Sequence, residues 1–391
     1  MGIRIRDTRR WTKLVIVTFL LLIAGAAHQT CSAAARTEIE IPDIPGYRTL
    51  KCDFHIHTVF SDGAVWPTVR VEEAWREGLD AIALTDHIEY RPHKDVRPDG
   101  ERPYEIAKQA AQGRGLILIK GAEITRNMPP GHINALFLKD VKLLDVNDWR
   151  DAIKAANDQN AFLFWNHPGW IEQAPNEIPV WYAEHTELFE KGWLQGIEVV
   201  NDSSYYPLVQ KWAVEKNLTI LGDSDVHDPI ALSFDKEAGE HRPMTLVFAK
   251  DKTEQSIKEA LFARRTAIYH KNFLIGKADF LKPIFEQSIR IINPNITIKG
   301  KGEMNLIVNN HSQIDFELVS GETSGEISVP RSVTLAAEKT VLLRIAVKKG
   351  TADGTKDIRI PYRVRNLLAE PDKGLDVELP VTVTFIATEA K

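Results

Sequence analysis

Asp53-Phe54-His55-Ile56-His57-Thr58, followed closely by Ser61-Asp62-Gly63, is the stretch on which the reading of this chain turns. It follows an apolar-rich run that starts at residue 47, so a strand is expected over 50–57. Residues i and i+2 of a strand face the same side. His55 and His57 therefore share one face where the strand gives way to a turn. Two imidazoles converging on one point make half of a metal site. The same pattern also suits two solvent-facing polar positions on a half-buried strand, and the later strands must decide.

Working outward, short apolar runs alternate with amphipathic stretches across residues 47–272. Further strands are expected at 81–84, 116–119, 133–138, 162–165, 196–201, 219–221 and 244–249. Helices are expected at 68–77, 104–113, 147–159, 178–191, 205–216 and 254–264. Nearly continuous apolar strands imply parallel strands covered on both faces. The number of repeats favours a TIM-like barrel over a doubly wound open sheet. From residue 288 the pattern becomes alternating strands with turn signals and little helix, which predicts an all-β immunoglobulin-like sandwich over 288–391. No ligand constellation falls in that part, so its expected role is structural or interaction-bearing.

The amino end differs in kind. Arg4, Arg6, Arg9, Arg10 and Lys13 precede the apolar run 14–27, and Ser32, Ala33, Ala34 and Ala35 follow it. That is the order of a secretory signal peptide, expected over 1–35, with the protein secreted or periplasmic. The apolar run is shorter than the roughly 20 residues that span a bilayer, so no stable membrane span is expected after cleavage; an uncleaved anchor is the alternative. Cys31 raises a lipid anchor, but His28-Gln29-Thr30 is unlike the small apolar residues that precede a lipidated cysteine. Cleavage removes five basic residues and one acidic one. It leaves 44 basic against 53 acidic side chains, so the formal charge moves from −5 to −9. Such an acidic chain is not expected to bind nucleic acid. Cys52 alone remains, so no internal disulfide is expected, and its place in the first strand suggests a small buried hydrophobe.

The strand ends carry the remaining information. His55, His57 and Asp62 follow the first strand; Asp86-His87 the second; Glu123 the third; His167 the fifth; Asp225 and His227 that over 219–221. In barrels, functional residues gather at the C-terminal strand ends. His132 opens a strand instead, behind Pro129-Pro130-Gly131, in a loop able to fold back over the same face. Singly, Asp86 and Asp225 read equally well as helix caps and His167 as a turn residue. Jointly, six of the chain's twelve histidines and three carboxylates at strand ends indicate one site.

The ordered set His55-Ile56-His57, Ser61-Asp62-Gly63, Thr85-Asp86-His87, Gly121-Ala122-Glu123, Asn166-His167-Pro168 and Asp225-Val226-His227 resembles the PHP (polymerase and histidinol phosphatase) family across residues 47–272. Residues 88–93, His241-Arg242-Pro243-Met244 and the added β domain look most like its secreted branch acting on small organophosphate diesters. The resemblance implies a distorted (β/α)7 barrel, within 36–287, holding two or three divalent ions. By it, His55, His57, Glu123 and Asp225 would hold the first ion, and Asp62, His87 and His227 the second. Glu123 would bridge to a third completed by His132 and His167.

Nine nitrogen and oxygen donors without a thiolate suit Mn²⁺, Zn²⁺ or Fe²⁺; Mg²⁺ and Ca²⁺ prefer all-oxygen shells. Clustered cations lower the pKa of a shared hydroxide, hold it in line with phosphorus and polarise the phosphoryl oxygen. The reaction class is metal-dependent hydrolysis of a small-molecule phosphoester. Diester is favoured over monoester, because few basic residues lie near the motifs to hold a dianion. Arg91, His93 and Arg242 are the candidate phosphate contacts, with Arg91 and His93 equally readable as solvated loop residues. Asp223 and His93 are the candidate general acids. The competing readings are a phosphomonoesterase acting on nucleotides or sugar phosphates, an amide or lactone hydrolase, and a non-catalytic metal or ligand binder.

Overall fold

A computed structural model describes residues 35–321, 325–348 and 352–387. The signal-peptide reading of 1–35 falls almost wholly outside the described residues. Residues Glu38–Lys391 form one compact unit. Among the described residues no helix is long and apolar enough to cross a membrane.

The α/β part runs β1 (Arg48–Asp53), α1 (Pro67–Arg76), β2 (Ala81–Leu84), α2 (Arg102–Arg114), β3 (Ile117–Ile124), β4 (Ile133–Leu136), α3 (Trp149–Asp158), β5 (Phe162–Trp165), α4 (Ala183–Glu190), β6 (Gly196–Asn201), β7 (Ser204–Tyr205), α5 (Pro207–Glu215), β8 (Thr219–Asp223), α6 (Ile230–Ser233), β9 (Met244–Ala249), α7 (Glu254–Phe262), β10 (Thr266–His270), β11 (Phe273–Gly276) and α8 (Ala278–Ser288). The boundaries have local causes. Pro67 starts α1, where a missing N–H costs nothing. Gly115, at φ 63°, ends α2 in the left-handed region. The Thr253 hydroxyl accepts from Ser256 N at the start of α7. α4 begins at Ala183, five residues later than expected, because a residue before proline avoids helix and Ile178 precedes Pro179.

The sheet is mixed, which corrects the expectation of parallel strands throughout. β1, β2 and β3 pair in parallel, as do β5, β6 and β8. β4 lies antiparallel to both β3 and β5. The connection 125–132 is shorter than the dozen or so residues a parallel crossover needs, so the chain must reverse there. β9 is antiparallel to β1 and to β10. Among the described residues β8 joins β1 through a bridge between Ile56 and Val226, not through a continuous ladder. The sheet core is mostly apolar, and β2, β5 and β9 are buried along their whole length.

The β part comprises β12 (Ile289–Ile291), β13 (Asn295–Lys299), β14 (Glu303–Asn310), β15 (Phe316–Ser320), β16 (Ile327–Ser328), β17 (Ser332–Leu335), β18 (Thr340–Val347), β19 (Gly354–Glu370) and β20 (Lys373–Ile386). Sheet β12-β14-β18-β16 is separate. The other strands extend the main sheet, because β19 pairs in parallel with β11, Leu274 beside Leu367 and Ile275 beside Leu368. Burial along β20 alternates with period two. Its inward side chains Leu379, Val381 and Val383 share one core with Leu343 and Ile345 of the second sheet, and with Leu274, Leu281, Ile284 and Phe285 of the α/β part.

Phe285, fully enclosed, stacks edge-on against Phe316 at 5.1 Å. Phe285→Ala should cost about 3–5 kcal/mol. Because the core is continuous, the loss should appear as one shifted denaturation midpoint followed by circular dichroism. Two separated transitions would contradict a shared core.

Candidate metal centre

The reversal of β4 carries His132 to the other ligands. The end of β3 pairs with the start of β4, Glu123 beside Asn134, and the start of β4 pairs with the end of β5, Ile133 beside Trp165. His132, opening a strand, therefore reaches the same end as Glu123 and His167, which sit on or after strand ends. His55 and His57 lie beyond β1, which stops at Asp53 and not at residue 57. The segment stays extended because His57 N donates to Val226 O (3.1 Å) and Asp225 N donates to His55 O (2.8 Å).

All nine expected ligands converge. His57, Asp62, His87 and His227 offer atoms within 4.8 Å of one another. The same holds for His55, Glu123 and His167; for His55, His57 and Asp225; and for His87, Glu123 and His132. Asp225 Oδ1 stands 3.1 and 3.0 Å from Nε2 of His55 and His57. Glu123 places Oε2 2.6 Å from His87 Nδ1 and Oε1 2.9 Å from His132 Nδ1. Nε2 of His55 and of His57, Asp62 Oδ1, Glu123 Oε2, His132 Nδ1 and Asp225 Oδ1 are buried and, close as these approaches are, make no hydrogen bond of good geometry. Buried polar atoms left unpaired are rare and costly. Divalent ions among these lone pairs would satisfy them, so the residues fit the ions that the sequence implies.

The electrostatics are uneven across the cluster. Burial, with His87 and His227 beside it, lowers the His57 pKa to about 3, leaving its ring a neutral ligand at physiological pH. Burial also disfavours charge on His55 and His87, but carboxylates outweigh it. Asp225, Glu198 and Glu123 hold His55 well above the usual value, and Glu123 and Asp62 lift His87 to about 10. Glu123 and Asp225 stay ionised despite burial, because imidazoles surround them.

Two ligands sit in the left-handed region, His167 at φ 31° and Asp225 at φ 52°. Neither is glycine, so the surroundings must hold the strain. Asp225 is held by its bond to His55 O, and His167 N donates to Glu198 Oε2 at 2.7 Å. Gly63 turns the first ligand loop so tightly that a Cβ there would meet the His57 carbonyl. Asp86 is not among the ligand groups. It accepts from Thr58 N (2.7 Å) and Ser61 Oγ (2.7 Å), bracing that loop.

Two expected substrate groups lie beneath the cluster. Arg242 is fully buried, with Nη1 2.9 Å from Asp53 Oδ2 and Nε 2.6 Å from Glu77 Oε2. Two carboxylates draw it inward, so the reading of Arg242 as a phosphate contact is corrected. Asp223, also fully buried, accepts from Phe54 N and Thr245 Oγ1. Burial, then Asp53 and Glu198, raises its pKa well above the ordinary carboxylate value. A group sealed from solvent has no path to a departing alcohol, so the general-acid reading of Asp223 is corrected too. Arg91 and His93 do lie at the mouth. Arg91 Nε is 3.4 Å from His87 O, and His93 Nε2 is 3.1 Å from Gly63 O.

Glu198 and Arg70 were missed. Glu198, in the middle of β6, accepts from His55 Nδ1 at 2.8 Å, His167 N and Asn201 Nδ2. Arg70, on α1, donates to the backbone oxygens of His57 (2.9 Å), Val226 (3.1 Å) and His227 (2.5 Å). Each had a signal: an acid within an apolar strand, and an arginine on the apolar helix face of Pro67, Val71 and Ala74.

The PHP domain family model matches residues 53–275, and an Ig-like domain model matches residues 289–380. Among solved structures, a two-domain protein from Bacteroides vulgatus, containing a predicted PHP-like metal-dependent phosphoesterase, is 45% identical. The match covers 89% of this chain and 99% of that one, with a TM-score of 0.84. An uncharacterized protein of Methanocaldococcus jannaschii is 36% identical over 84 residues, 22% of this chain. A 5′-3′ exoribonuclease of Haemophilus influenzae is 35% identical over 79 residues, 20% of this chain. The matched stretches span 37% and 25% of those two relatives.

Glu198→Gln should weaken metal binding about 10–100-fold, by loosening His55 and His167 without removing a ligand; chelator competition reads this. Arg242→Met should leave Asp53 and Glu77 buried without their cation and cost about 3–5 kcal/mol. Were Arg242 a substrate contact, that variant would keep its denaturation midpoint and lose turnover instead.

Proposed function

The chain belongs to the PHP domain family, and on that premise we propose that it is a metal-dependent phosphoesterase acting on small organic phosphodiesters. The convergence of nine nitrogen and oxygen donors, several with unpartnered buried lone pairs, carries the proposal. His55, His57, Asp62, His87, Glu123, His132, His167, Asp225 and His227 would hold two or three ions of the Mn²⁺, Zn²⁺ or Fe²⁺ type. Bound ions would supply an activated water nucleophile and neutralise phosphoryl charge.

The chain's own groups do the positioning. Glu198 fixes the His55 ring through Nδ1, leaving Nε2 to ligate. Asn166 Nδ2 donates to Glu123 Oε1 at 2.7 Å and sets the plane of that carboxylate. Arg70 neutralises the carbonyl oxygens of both histidine loops. At the mouth, Arg91 and His93 would meet the phosphate.

The withdrawal of Arg242 supports diester over monoester. A monoester dianion calls for more cationic groups than a diester monoanion, and one of the three expected basic contacts is spent on Asp53 and Glu77. Nucleic acid is not the expected substrate of so acidic a chain. Export rests on the signal-like segment 1–35, and amino-terminal sequencing of protein recovered from the producing cell tests it.

Purified mature protein given Mn²⁺ or Zn²⁺ should hydrolyse bis-p-nitrophenyl phosphate faster than the monoester and stop when a chelator is added. His57→Ala should lose both bound metal and activity. Turnover of the monoester alone would sink the diester reading. A metal-loaded protein that turns over neither would be a binder.

A further inference from the structure

Beside the ligand cluster, the segments after β5 and β6 flank a half-open cavity of about 540 Å³. That lies in the usual size range of small-molecule sites, about 300–1,000 Å³. One side chain belongs to both the cavity wall and the cluster's surroundings. The Trp170 ring stands 5.2 Å from the His167 ring and 5.7 Å from that of His132. Tyr206, also in the lining, packs so close to Gly169 that any Cβ there would collide with its ring. The walls are preformed by backbone bonds: Trp170 N donates to His167 O, and Tyr206 N to Val199 O.

The rim is apolar where a soluble surface would be polar. Ile171 is 60% exposed and Ile178 61%, with Leu208 opposite them also exposed. Clustered apolar surface around a concavity marks a binding site. Among the described lining residues Glu177 carries the one charge, and it is negative; lysine and arginine are absent. A second phosphate would be repelled here by Glu177, with no lysine or arginine in the lining to offset it. Aromatic and branched aliphatic surface fits the walls.

We infer that this cavity is the subsite for an uncharged aromatic or bulky aliphatic ester group, so that the substrates are phosphoesters of hydrophobic alcohols. The inference rests on the phosphoesterase reading for its chemistry and on the cavity for its specificity. Position supports it: Trp170 lines the cavity and also stands against His132 and His167, so a phosphate seated among the ligands would have that ring as its neighbour and its ester arm would reach the cavity past it.

The test uses the full mature chain loaded with Mn²⁺. Two diesters share a p-nitrophenyl leaving group and differ in the other arm, methyl or phenyl. Wild type should prefer the phenyl ester by about tenfold or more in kcat/KM, the scale set by filling an apolar pocket. Ile178→Asp with Leu208→Asp puts charge on the rim at exposed positions that the fold tolerates, Leu208 being in the first turn of a helix, where an acid is favoured. In that variant the preference should fall to about twofold or less. A second arm needs no turnover: 2-naphthol binding, read by its fluorescence anisotropy, should weaken about tenfold in the variant. No phenyl preference in wild type together with equal naphthol binding by both proteins would overturn the subsite. If neither diester is hydrolysed, the phosphodiesterase reading falls by itself. Naphthol then decides the subsite: weaker binding by the variant sustains it and equal binding removes it.

Discussion

Two backbone hydrogen bonds join the first and last parts of the candidate site. Asp225 N donates to His55 O and His57 N donates to Val226 O. They bring together loops separated by about 170 residues of chain, and every ligand contact between His55, His57 and Asp225 follows from them. Both loops have already left their strands, so no ladder enforces the register. Arg70 supplies what the ladder would have given, its guanidinium gathering four carbonyl oxygens from the two loops, those of His57, Val226, His227 and Asp228, with Glu73 balancing its charge at 2.9 Å. A fixed, planar fork of donors suits that task in a way lysine would not.

Beneath this junction lies a second layer of buried charge. Ser224, next to Asp225, donates to Asp53 through both N and Oγ. Asp53 is in turn bound by Arg242, which also binds Glu77, whose other oxygen meets Lys236 at 2.9 Å. Buried ion pairs are a poor source of stability, since desolvation consumes most of the attraction. Their value here is geometric. Burial would raise the Glu77 pKa, but Arg242 and Lys236 hold it below the ordinary carboxylate value. A group with a depressed folded pKa stabilises above its unfolded value and loses that contribution as pH falls through the folded one. The support under Asp225 is thus firm at neutral pH and weakens in acid.

Much of this was legible in the sequence, for reasons that also explain what was not. His55, His57, His87, His167, Asp225 and His227 follow apolar runs, and the end of a short continuous apolar run reports a strand end well. The carboxy-terminal strands showed by their period-two alternation. The direction of β4 was not read, though the short connection 125–132 held that information in its length. Arg242 and Asp223 were misplaced because sequence reports residue type and proximity in the chain, not depth. Arg242 lies near the motifs, yet its partners Asp53 and Glu77 come from β1 and the end of α1. Glu198 went unread because one acid in an apolar strand does not say which imidazole it faces.

The β part also reaches towards the site. Leu368, on β19, packs with Ile268 and Ile275 in the α/β core, and its carbonyl oxygen accepts from Gln210 Nε2 at 3.0 Å. The other end of that amide, Gln210 Oε1, accepts from the Tyr205 hydroxyl at 2.5 Å. Tyr205 and Tyr206 line the apolar cavity, and Tyr206 lies against Gly169, two residues beyond His167. The longest strand of the sandwich therefore braces one cavity wall through two side chains. A connection between sandwich and α/β part that served only to join them would need neither the buried glutamine nor the tyrosine. Their presence ties the wall of the cavity to β19, so the β part contacts the α/β part at the cavity as well as in the core.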